Sequence, residues 1–257
     1  MFPDLAVLRV MNQILKASRI ISLIVAIAPH ISWAKSAVHD HSVSALSQSE
    51  DETPSLSEQQ RELRLQHAHE LLGRYYKTSA VRAGESVSKI NSKIYAWTRE
   101  RLPKKFKSQY QKIAQAIIDE SLKHQFDPVF VLSVIQNESS FNPHRLGALD
   151  EIGLMQLRPG TAKWIARKFD LKYKGHRTLH DPVENIRLGT AYMDYLRGRF
   201  SSHAQLYLSA YNMGKRNVDE NLEKDIWPKD YASHVMHYYI EFYSNLKASQ
   251  KKKYAAL

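Results

Sequence analysis

The chain has 257 residues, no cysteine and a formal charge of +11. That length buries a core without disulfides, and the missing cysteine excludes both disulfide staples and a lipidated N-terminus. The positive charge favours an anionic partner but does not choose among nucleic acid, membrane and cell-wall polymer.

In chain order, the first expected element is a secretory signal. Lys16 and Arg19 form a positive region, Ile20 to Ala28 an apolar stretch broken by Pro29-His30, and Ser32-Trp33-Ala34 supplies the small residues that signal peptidase checks. The apolar run is too short for a permanent membrane span. Residues 1–34 therefore read as a signal peptide cleaved near Ala34, with a retained anchor as the alternative. The mature chain, periplasmic or secreted, would start near Lys35; losing Arg9, Lys16, Arg19 and Asp4 lowers the charge from +11 to about +9. Export makes nucleic acid the least fitting partner, and no stable membrane anchor is expected.

Residues 35–57 are Ser-rich and poor in large apolar side chains, the composition of a disordered lead-in. Residues 58–107 read as an N-terminal helical extension. A first helix starts near Glu58, with Leu63, Leu65, Leu71 and Leu72 recurring among charges and Ser57 as its cap. A second runs from about Glu85 to Arg101, stopped by Pro103. The main domain is expected over residues 108–247. Ile113, Ala114, Ile117, Ile118 and Leu122 repeat at helical spacing, and Asp127-Pro128 and Asp181-Pro182 each pair an acceptor cap with proline at the first helical position. Further helices are expected from Thr161 to Phe169, Pro182 to Arg199, Ala204 to Asn212 and Asp230 to Leu246, before a basic tail, residues 248–257, with Lys251 to Lys253. No segment alternates like a strand, so the fold class is mainly α.

Between Val129 and Thr161 an apolar helix runs into a single acid, Glu138, and the chain turns back through Gly153-Leu154-Met155-Gln156. A carboxyl group in apolar surroundings has a raised pKa and stays protonated near neutrality, as the proton donor of a glycosidase must.

Glu138-Ser139-Ser140-Phe141-Asn142-Pro143, the Gly153 to Gln156 turn, Glu184-Asn185-Ile186 with Gly189, and Ala210-Tyr211-Asn212-Met213-Gly214 stand in an order that resembles the soluble lytic transglycosylases and the related goose-type lysozymes of glycoside hydrolase family 23. The segment opening at Tyr231 is similar to the family's last helix, so the resemblance covers roughly residues 110 to 245. It implies a lysozyme-like (transglycosylase SLT) domain acting on peptidoglycan glycan strands without a cofactor or metal. Glu138 would be the catalytic acid, protonating the β-1,4 oxygen between MurNAc and GlcNAc. Gly153 would let backbone approach the sugar, and Gln156 would offer an amide to it. Met155 would pack or line the groove, and Leu154 would pack. Tyr211 would be the tyrosine beside the acid or a core residue, and Asn212 would orient the loop or touch substrate. Glu184 would belong to a segment that caps and packs a helix. In a lytic transglycosylase the MurNAc 6-hydroxyl attacks its own C1 and Glu138 acts first as acid, then as base, leaving a 1,6-anhydro product. A lysozyme activates water instead, usually with a second carboxylate.

The chain departs from the family pattern in one loop. Gly147 stands where the family has a serine, and Asp150-Glu151 where it has Gly-Ala. Three readings stay open: a variable solvent-facing loop, a base that makes the enzyme a hydrolase, or carboxylates that pair with the ammonium groups of deacetylated glycan. A rival from another class is a non-catalytic peptidoglycan-binding protein on the same fold. Other constellations are weak. His234 and His237 read as surface histidines rather than metal ligands, His67 and His69 fall on different helix faces, and Trp97, Trp164 and Trp227 read as core or groove lining.

Overall fold

The computed structural model describes residues 54–254, so the expected signal peptide and the lead-in up to residue 53 lie outside the described residues. The first helix, α1, is Leu56–Leu72. Its cap is Ser55, not the expected Ser57. The Ser55 hydroxyl accepts from Glu58 N–H at 3.3 Å while the Glu58 carboxylate accepts from Ser55 N–H at 2.8 Å, a reciprocal capping box. Ser57 lies inside the first turn. Short 3-10 turns lead to α2, Val87–Arg101, which carries Ile90, Ile94 and Trp97 on its buried face. A further 3-10 turn opens into α3, Tyr110–Lys123.

The centre of the molecule is α4, Pro128–Ser139, whose residues from Pro128 through Ile135 are all buried. A helix that is apolar on every side needs partners all round. It packs against α2, α3 and the last helix, α10, Asp230–Tyr254. Each fully buried Phe or Leu side chain contributes roughly 1.5–3 kcal/mol. The helix start is fixed by Asp127, which accepts from Val129 N–H at 2.9 Å with one carboxylate oxygen. Its other oxygen accepts from Tyr239 and Tyr243 of α10 at 2.7 and 2.6 Å. From α1, Arg64 donates to Tyr243 at 2.9 Å, and His67 Nδ1 accepts the Asp127 N–H at 3.0 Å. Burial pushes His67 well below its ordinary pKa, so it is neutral and its proton sits on Nε2, facing the Tyr207 hydroxyl at 3.3 Å.

The helix end is equally constrained. Ser140 and Phe141 follow at φ of 50° and 62°, a left-handed pair that reverses the chain at the end of α4, one residue past Glu138. Such a backbone is costly for a bulky side chain. It is held because Phe141 is fully buried and the Ser139 hydroxyl donates to Leu154 O at 2.8 Å. The returning loop forms isolated antiparallel bridges, Leu146 to Ile152 and Ile152 to Leu157, and no longer strand exists among the described residues.

Five more helices complete the unit before α10: α5, Pro159–Lys168; α6, His176–His180; α7, Pro182–Arg199; α8, Ala204–Met213; and α9, Lys215–Glu223. Both ends of α7 fall where Asp181-Pro182 and Arg199 put them. The sequence does not announce α9 because only Val218 in it is buried, too little to leave a periodic stripe. The last helix continues past Leu246 into the expected basic tail, since lysines are good helix formers. No described helix is long and apolar enough to cross a membrane.

Candidate active site

Glu138 occupies the last turn of α4, where the buried helix opens onto a cleft of about 660 Å³. The cleft walls come from the returning loop (Ala148, Leu149, Glu151, Gln156), from Tyr192 of α7, and from Tyr211 and Asn212 at the end of α8. Burial pushes the Glu138 carboxyl up to about 7, the nearby Glu151 charge adds to this, and a hydrogen bond from the Tyr231 hydroxyl works the other way. The group is therefore poised to hold and release a proton near neutrality.

Tyr231, at the start of α10, is the residue that sequence reasoning missed at this site. It was visible only as the opening of the last helix, and its hydroxyl donates directly to Glu138. Tyr211 borders the same cleft, but its hydroxyl donates to Met155 O at 2.8 Å, and its ring stacks on Tyr231 at 6.4 Å. Burial, reinforced by the Glu138 charge, raises both tyrosines well above their ordinary pKa, so both remain hydrogen-bond donors.

The Gly153 to Gln156 turn is held from below by a second residue not singled out from the sequence. The buried Asn185 side chain accepts from Met155 N–H at 2.7 Å and donates to Ile152 O and Leu179 O at 2.8 and 3.0 Å. Packing requires Gly153 here. Its φ is +86°, and a Cβ would overlap the Asn185 amide and come within 2.6 Å of Leu179 O. Met155 is a core residue, 1% exposed, whose sulfur fills the space left by Gly189. Gln156 lines the cleft, but its amide nitrogen is engaged with Arg145 O at 3.0 Å and Gly153 O at 2.9 Å. Glu184 binds Arg187 at 2.7 Å in the first turn of α7, away from the cleft lining.

The structure separates the two loop acids. Glu151 lines the Glu138 cleft and accepts from Leu149 N–H at 2.9 Å, with Arg158 Nε 4.0 Å from its other oxygen. Asp150, at φ 64°, lines a neighbouring pocket of about 500 Å³ with Arg158 and His176. Gly147 and Glu151 form a steric pair. A Cβ at position 147 would overlap the Glu151 carboxylate and sit 2.9 Å from the Gln156 amide oxygen. The carboxylate thus fills the room that a serine side chain would take. His234 and His237 are both exposed on α10, Trp97 packs on Phe242 in the core, and Trp227 lies exposed near His203.

Residues 115–233 match the family described as the transglycosylase SLT domain. A membrane-bound lytic murein transglycosylase C of Haemophilus ducreyi is 30% identical over 167 residues, 62% of this chain and 44% of the relative. A soluble lytic murein transglycosylase of Salmonella typhimurium is 32% identical over 90 residues, 35% of this chain and 14% of the relative. The chain thus spans less than half the length of these relatives. A solved lytic transglycosylase Slt of Pseudomonas aeruginosa, an inactive variant, aligns over 52% of this chain and 24% of its own at 28% identity and a TM-score of 0.48. Glu138, the Gly153 to Gln156 turn and Tyr211 all lie within the segment, residues 115–233, that is similar to the transglycosylase SLT domain.

Proposed function

We propose that the chain is an exported enzyme that cleaves the β-1,4 bond between MurNAc and GlcNAc in peptidoglycan, with Glu138 as general acid and then base. The observation that carries this reading is a buried carboxyl group, pushed up to about 7, facing a cleft of about 660 Å³. The SLT match and the names of the relatives support the substrate class and favour lytic transglycosylation.

In that reaction protonated Glu138 gives its proton to the glycosidic oxygen as the C1–O bond breaks. The MurNAc 6-hydroxyl then forms the new bond to C1 and returns a proton to the Glu138 carboxylate. The Tyr231 hydrogen bond holds the carboxylate in place between the two transfers. No water is consumed, and the proton balance closes on one residue without a cofactor. Asn212 and the amide oxygen of Gln156, both on the cleft wall, would meet sugar polar groups. A hydrolytic variant of the reaction has one observation in its favour, Glu151 lining the same cleft as Glu138. The same carboxylate, with Asp150 in the adjoining pocket, favours glycan whose deacetylated sugars carry ammonium groups. Export rests on the N-terminal pattern ending at Ala34.

The test is turnover of purified sacculi, acetylated and deacetylated, by the wild-type chain, Glu138→Gln and Glu151→Ala. Glu138→Gln should lose turnover at least about a thousandfold, as expected when acid and base functions are both removed. Glu151→Ala should lose more on the deacetylated wall than on the acetylated one. Equal loss on both walls would remove the charge-pairing role, and turnover by Glu138→Gln would overturn the enzyme reading in favour of another catalytic group.

A further inference from the structure

An aromatic row leads away from the acid. Tyr231 contacts Glu138, Tyr211 stacks on Tyr231, and Tyr192 lies 5.4 Å from Tyr211. Tyr195 follows Tyr192 one turn along α7, and Trp164 of α5 stands edge-on to Tyr195 with ring centroids 4.8 Å apart at 73°. Past Thr161 and Tyr192, which it shares with the Glu138 cleft, lies a second groove of about 360 Å³ lined by Trp164, Tyr195 and Lys215. Lys168, one turn beyond Trp164, holds its ammonium 5.9 Å from the indole and 5.3 Å from the Tyr195 ring.

The core face of α5 is made by Ala162, Ile165 and Ala166. Trp164 is not part of it and is 37% exposed. A single exposed aromatic residue needs no explanation. This one extends a continuous groove, is braced by a second ring, and is flanked by a cation. Aromatic faces pack against the C–H faces of pyranose rings, while a neighbouring ammonium donates to sugar hydroxyl or carbonyl oxygens.

We propose that Trp164, Tyr195 and Lys215, which line this second groove, form a saccharide subsite outside the catalytic cleft, which binds a further pyranose of a glycan strand whose scissile bond lies at Glu138. The proposal rests on the reading of the Glu138 cleft as a peptidoglycan-cutting site. It makes the chain a reader of strand length, gripping long strands more tightly than short ones.

The experiment measures binding by calorimetry in the Glu138→Gln background, with two probes: peptide-free glycan strands from sacculi and a GlcNAc–MurNAc tetrasaccharide. Adding Trp164→Ala should weaken long-strand binding roughly fivefold to tenfold, the usual cost of truncating a buried aromatic anchor, and leave the tetrasaccharide unchanged. Trp164→Phe should restore most of the long-strand affinity. Tetrasaccharide binding serves as the folding control. Long-strand binding that survives Trp164→Ala undiminished would overturn the subsite alone. Failure of the Glu138→Gln parent to bind either glycan would overturn the cleft reading, and the subsite with it.

Discussion

The carboxyl of Glu138 is held between opposed influences: burial and the Glu151 charge favour the neutral acid, and the Tyr231 hydroxyl favours the carboxylate. In the proposed reaction cleavage needs the protonated form, so turnover should fall as pH rises through about 7. Tyr231→Phe removes the influence that lowers the pKa. The alkaline limb of the pH–rate profile should therefore move upward, by on the order of one pH unit, with a reduced maximum. A limb that stays in place or moves downward would show that Tyr231 does not act on the acid. Glu138 was legible in the sequence because its apolar helix and the residues after it are contiguous. Tyr231 was not, because it lies 93 residues away and nothing local marks a tyrosine as aimed at a carboxylate. The Gly147 and Glu151 pair extends the same lesson. Both departures were visible from the sequence as separate anomalies, and only the overlap of a Cβ at 147 with the Glu151 carboxylate joins them. Gly147→Ser alone should destabilise by about 1–3 kcal/mol through overpacking. Adding Glu151→Ala should recover most of that loss in thermal melts, and additive losses would contradict the pairing.

At the scale of the element, α4 matters most, because its two ends do different work. Asp127-Pro128 announced its start in the sequence, since a cap and a proline act locally. The second half of the Asp127 role, accepting from Tyr239 and Tyr243 while His67 receives its N–H, depends on helices far away in the chain. Asp127→Ala removes the cap and leaves the O–H donors of two buried tyrosines without their acceptor, and should cost about 3–5 kcal/mol in urea unfolding. A loss under about 1 kcal/mol, the value of an exposed cap, would show that the tyrosine network contributes nothing. The turn from Gly153 to Gln156 follows the same division. Its glycine was legible, but its supporting residue, Asn185, was readable only as part of a helix-packing segment.

At the scale of the whole molecule, α1 and α2 read as an extension without chemistry, and they hold no cleft residue. Yet Arg64 and His67 of α1 reach the N-terminus of the helix whose other end presents Glu138, so the first helix steadies the acid through the length of α4. Hydrophobic spacing revealed helices such as α3, which bury a periodic stripe, and the cap and proline revealed α4, which is buried all round. It could not reveal which polar side chains α1 sends into the core, since Arg64 and His67 look like any charged or polar positions on an amphipathic helix. With α4 fixed at both ends, Glu138 faces the cleft, and in the proposed reaction it serves as the one proton carrier while the sugar's own 6-hydroxyl is the nucleophile. Mass spectrometry of the fragments released from purified sacculi decides that point. The expected fragments end in 1,6-anhydroMurNAc, one water lighter than hydrolytic products, and are absent with Glu138→Gln. Fragments with reducing ends as the main product would contradict transglycosylation and leave Glu151 as the base that activates water.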